Sequence, residues 1–154
     1  SRLMDMLSGF VSTGKENEEL FFKSKNLTLS LIAAKDFDEV KKTVELFFEQ
    51  NFEIDSCILE ILSDSQLQEL ENKTSLDMNK NAIHIGPLSK EKLDAFFSSE
   101  SVKSAVITVM KLKSGFGLLK MGSNEATKYL GDGDTTFIEY IRDIIVRVLE
   151  SKEA

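Results

Sequence analysis

One histidine, His84, and one cysteine, Cys57, are the side chains in this sequence best suited to proton transfer, nucleophilic attack or metal ligation near neutral pH. His84 stands in Ala82-Ile83-His84-Ile85 with no Cys, His or acid at ligand spacing beside it, which favours a hydrogen-bonded packing role. Cys57 alternates with Leu59 and Ile61, so its thiol is expected in apolar surroundings that keep it protonated and inert. Gly131-Asp132-Gly133-Asp134 could let backbone amides approach an anion, but before a helix it reads first as a turn and cap. It lacks the Lys and Ser or Thr of a phosphate-binding loop and the twelve staggered positions of a calcium-binding loop. Should a small molecule bind, His84, Ser123, Asp132 and Thr135 are the residues expected to meet it. No nucleophile is paired with a base and no set of metal ligands is spaced for coordination, so neither an enzyme, a metal site nor a cofactor is expected.

Composition narrows the partners. The 154 residues carry 19 Lys and Arg against 26 Asp and Glu, a net charge of -7 and the wrong sign for a protein that gains affinity by neutralising phosphates along nucleic acid. Residues 51 to 100 hold 10 acidic and 4 basic groups, an excess that reads as a solvated face. No apolar run reaches the roughly 18 to 20 residues that span a bilayer, and the first ten residues lack a secretory core, so no membrane association and a cytoplasmic location are expected. Ser1 stands where an initiator Met would, which suggests a longer natural N-terminus.

These residues have to be positioned by a single domain. Lys15 to Ala34 is a Gly-free and Pro-free helix with two stripes. Phe10, Asn17, Leu20, Ser24, Leu27, Leu31 and Ala34 follow a seam whose later steps alternate three and four, and Phe21, Thr28 and Ile32 form a second stripe. Two apolar stripes imply that the helix is covered by its own domain and by another chain. The expected contact is a parallel helix pair making a two-fold homodimer through Asn17, Leu20, Ser24, Leu27 and Leu31. Residues 1–34 are accordingly read as a dimerisation helix and 35–154 as the domain it serves.

Asp36 caps a second helix bearing Phe37, Val40, Val44, Phe47 and Phe48. A strand follows over Ser56 to Leu62, then a short helix near Gln66 to Glu71 that buries Leu67 and Leu70, and a short strand from Ala82 to Ile85. Ser89 caps a helix with Leu93, Phe96 and Phe97; Ser104 to Lys111 and Gly115 to Gly122 form a hairpin in which Gly117 marks close backbone approach or a bulge. Thr135 to Glu150 is an amphipathic helix. The order predicts an α+β domain in which helices cover one face of an antiparallel sheet.

Glu16-Asn17-Glu18-Glu19-Leu20 followed by Leu27-Thr28-Leu29 resembles the opening of the bacterial family called domain of unknown function 484. Phe37-Asp38-Glu39-Val40, Leu88-Ser89, Leu93, Phe96-Phe97, Gly117 to Ser123 and Thr135-Thr136-Phe137-Ile138 keep step with it. The likeness covers roughly residues 14 to 150, and its weight lies in order and spacing. It implies a GAF-like fold related to small-molecule sensor domains, with an N-terminal helix able to pair two chains. The Asn72 to Asn81 segment departs from the Arg-rich loop of familiar members, so no shared ligand contact is carried over there. The resemblance supplies no reaction. The expectation is a non-catalytic sensory or regulatory module, homodimeric, holding an unidentified small molecule between the sheet and residues 63–81 and 123–134; a pure protein-interaction adaptor is the alternative.

Overall fold

The computed structural model describes residues 14–52, 54–126 and 135–152, with the side chains of residues 14–17 and 20 left aside. Helix α1 (Gly14–Ala33) leads into α2 (Phe37–Asn51), then β1 (Ser56–Leu62), α3 (Asp64–Thr74), β2 (Ile83–Pro87), α4 (Lys90–Phe96), β3 (Ser104–Leu112), β4 (Gly115–Ser123) and α5 (Thr136–Lys152). The strands form one antiparallel sheet in the order β1-β4-β3-β2. This is the mixed α+β class expected from the order of elements.

Helix starts follow local chemistry. Asp36 caps α2 by accepting from the Glu39 amide at 3.0 Å, while the Glu39 carboxylate accepts from the Lys35 amide. Ser63 and Gln66 make a full capping box at α3, and Ser89 caps α4. Gly117 lies directly across from Met110, and a Cβ there would fall 2.5 Å from the Met110 Cγ, so this strand position has no room for a side chain.

Both faces of the sheet are covered, which corrects the expectation of helices on one face. Val106, Met110, Leu119, Met121, Cys57 and Leu59 pack with α1, α2 and α5; Ala105, Ile107, Val109 and Leu118 pack with α3, α4 and Met78. The physical reason is written in β3, where Ala105 to Met110 is buried without a break and strict alternation is lost. Burial on both sides also places Leu27 and Leu31 of α1 in the same cluster as Val44, Phe48 and Ile141, so the helix shares one core with the segment that follows it.

The outer edge of β1 is closed by side chains. The Leu59 amide donates to Glu45 Oε2 at 3.0 Å and the Leu59 carbonyl accepts from Lys41 Nζ at 2.9 Å, with Lys41 and Glu45 themselves ion-paired on α2. One turn of helix thereby occupies both backbone groups that a neighbouring strand would use.

Candidate functional site

The residues expected to meet a ligand do not converge. His84 pairs with Ile107, and Ile107 with Lys120, so its side chain belongs to the sheet face covered by α3 and α4; Ser123, an odd step away along β4, belongs to the opposite face. The His84 ring donates from Nε2 to the Asp77 carbonyl at 2.6 Å and fastens the loop before β2. Ser123 is buried, and its hydroxyl accepts from the Glu125 amide at 3.2 Å where β4 ends. Thr135 leads into α5, accepting from the Glu139 amide through its carbonyl at 2.9 Å. Asp132, like the rest of 127–134, lies outside the described residues. Each described member thus has a local structural task, and the sheet stands between His84 and Ser123.

Cys57 is buried, and desolvation, aided by the nearby Glu45 and Glu49 carboxylates, pushes its thiol far above the ordinary range despite Lys41. That state is protonated and unreactive. Among the described residues, no group of three or more His, Cys, Asp or Glu side chains is placed to hold a metal ion. None of the described helices is long and apolar enough to cross a membrane.

The feature that does collect side chains is α1. Ser24, Leu27 and Leu31, expected at a chain-to-chain contact, are buried inside their own chain and cannot serve a partner without unfolding it. Asn17 and Leu20 lie outside the side chains described. The opposite stripe is bare: Phe21, Phe22, Leu29 and Ile32 are 64%, 59%, 56% and 62% exposed. Phe22, Lys25, Leu29 and Ile32 step by three, four and three, a seam with one polar position, and the sequence signal for it was the seven-residue interval from Phe22 to Leu29. Phe21 and Phe22 meet edge to face at 5.9 Å. With Ser24, Thr136, Phe137 and the half-exposed Tyr140 they line a hollow of about 750 Å³ between α1 and the start of α5. Tyr140 was not visible as part of this face in the sequence, because only the packing of α5 against α1 brings it there.

Burial of such large apolar groups contributes about 1.5–3 kcal/mol for each aliphatic or aromatic side chain fully removed from water, so the face is chemically suited to association. Comparison with known proteins agrees with the sequence order. The family model described as "Protein of unknown function, DUF484" matches residues 1–152. None of the curated proteins matches the chain. With the match running over almost the whole length, the chain belongs to the DUF484 family.

Proposed function

We propose that this chain is a non-catalytic sensory or regulatory module of GAF-like fold that forms a two-fold homodimer through the exposed stripe of α1. The observation that carries this reading is the seam of Phe22, Leu29 and Ile32 beside the apolar hollow under Tyr140, a continuous face on a helix whose other stripe already serves the core. A second copy is the occupant best matched to it, because a three-four seam is filled by another helix of the same period, and a two-fold axis lets one self-complementary stripe cover itself. Lys25 in the seam would lower stability and restrict register, the usual effect of a polar residue at such a position. The inert Cys57 and the structurally engaged His84 support a role without bond chemistry. In such a module a ligand acts by its different affinity for two packings of the same helices, and α1, which touches both core and partner, is the element able to transmit that difference.

Light scattering on the full chain at tens of micromolar tests the dimer. The wild type is expected at twice the chain mass, and Ile32→Glu and Leu29→Glu at the single mass with unchanged helical circular dichroism, because both side chains are exposed within the chain. Leu27→Glu is expected instead to lose the fold, by placing a charge in the core. A monomeric wild type, or exposed-stripe variants that remain dimeric, would overturn the proposal.

A further inference from the structure

Four basic residues of this acidic chain line one hollow, which shares Asp143 and Arg147 with the groove between α5 and Thr28 and Ile32 of α1. Strand β2 is shorter than its neighbour: Ile83 pairs with Thr108, the Ala82 carbonyl still accepts from Val109 at 3.0 Å, and Met110 to Leu112 of β3, paired with β4 on one side, run on with no strand on the β2 side. Beneath that overhang lies a cleft of about 430 Å³, lined by Lys80, Asn81, Met110, Lys111 and, from α5, Arg142, Asp143 and Arg147. Two of the three arginines in the sequence are therefore in this cleft, against one acid, in a protein of net charge -7.

Arg142 is the group that marks the cleft as more than a solvated basic patch. Its side chain is only 11% exposed, and its one ion pair among the described residues is a 3.4 Å contact from Nε to Asp143 Oδ1, whose own side chain is 70% exposed. Nη1 is fully buried and has no hydrogen-bond partner among the described residues. A guanidinium offers five donors in a rigid fork, and leaving a buried donor unpaired is costly unless a partner arrives. Thr108 Oγ1 is a second buried polar atom without a partner among the described residues, on the same face of β3 as Met110. Lys80 and Arg147 make no ion pair among the described residues and are exposed at the cleft's mouth, whereas the Lys111 ammonium is engaged 4.6 Å above the Phe116 ring on the other face. The Lys111 amide is nonetheless available. Since the Val109 amide points toward β2, the amide two residues on points the same way, into the space where β2 has ended.

The turn that brings Lys80 here is stiff. Asp77 accepts from both the amide and the side chain of Asn79, Asn79 accepts from the Asn81 amide and the Ala82 amide, and Glu71 accepts from the amide of buried Met78. Such serial bonds hold the loop in one shape, so the Lys80–Asn81 edge is preorganised opposite α5.

We propose that this cleft binds the phosphate group of a small phosphomonoester, with Arg142 and Arg147 as guanidinium donors, the Lys111 amide on the strand side and Lys80 at the mouth. A tetrahedral dianion matches cations arriving from separate directions, and the volume suits a metabolite of a few carbons. Arg147 also borders the groove beside Ile32, so the titration is repeated on Ile32→Glu, in which phosphate binding is expected to persist. Titration of the full chain with glycerol 3-phosphate and with inorganic phosphate, followed by nuclear magnetic resonance, tests it, with succinate as a dianion of different shape. Saturable binding with Kd of about 1 mM or tighter is expected, with shifts at Arg142 Nε–H and the Lys111 amide. Lys80→Gln and Arg147→Gln, both exposed and harmless to folding, are each expected to weaken binding by about tenfold, the loss of one charge-assisted bond. Absence of saturation, wild-type affinity in both variants, or succinate binding as well as the phosphates would overturn the proposal.

Discussion

Lys120 shows how one side chain can hold three elements. It is buried on the central strand β4, donates to the Phe96 carbonyl at the end of α4 at 2.6 Å, pairs with Glu60 of β1 at 3.2 Å, and lies 5.9 Å from the Phe97 ring. The Phe96 carbonyl belongs to the last turn of a helix, where acceptors lack intrahelical donors and a cation is favoured. Lys120→Ala removes the donor and leaves both acceptors, so a loss of about 2–4 kcal/mol in urea unfolding is expected. Lys120→Met keeps the aliphatic packing and frees half-buried Glu60 to turn toward water, and about half of that loss is expected. An Ala variant as stable as the wild type would show that the tie contributes nothing. At this scale the sequence was informative about where His84 and Cys57 sit, one hydrogen-bonded and the other buried, since isolation and alternation are local properties. It was silent about Lys120 and Arg142, whose burial depends on which strand and helix lie opposite.

Individual elements are legible wherever capping and period agree. Asp36, Ser63 and Ser89 mark the starts of α2, α3 and α4, and the hairpin of β3 and β4 follows its turn, because these signals reside within a few consecutive residues. The two stripes of α1 were also visible, but not which of them faces inward: Leu27 and Ile32 are equally apolar, and only the position of α2 and α5 decides between them. The end of α3 illustrates a local conflict that the fold tolerates. Ser75 is held left-handed, with φ of 59°, while its amide closes the helix on the Glu71 carbonyl at 2.8 Å. This is the position where glycine is ordinarily found, since a Cβ disfavours that conformation. Ser75→Gly is therefore expected to stabilise the protein by about 0.5–1 kcal/mol, the steric relief exceeding the added freedom of the unfolded chain. A lower midpoint in thermal unfolding would mean that the Ser75 side chain contributes more than its backbone costs.

At the scale of the whole molecule, burial of the sheet on both faces changes what α1 can be. The signal for it was present in β3, where Ala105 to Met110 is apolar but for Thr108, but helix order alone cannot say on which side of a sheet each helix lies. Because Leu27 and Leu31 are rooted in the same core as Phe48, Val106 and Ile141, α1 cannot leave the domain without opening that core. Pairing through its outer stripe should then stabilise the fold itself, as any partner that binds only the folded state does. The wild-type thermal midpoint is expected to rise with protein concentration, and to become independent of it in Ile32→Glu, which removes the apolar contact at an exposed position. Scanning calorimetry over a hundredfold concentration range makes the comparison. A wild-type midpoint that does not move, measured where light scattering shows a dimer, would mean that the two chains meet through a surface uncoupled from the core, and the route from ligand to partner would have to bypass α1.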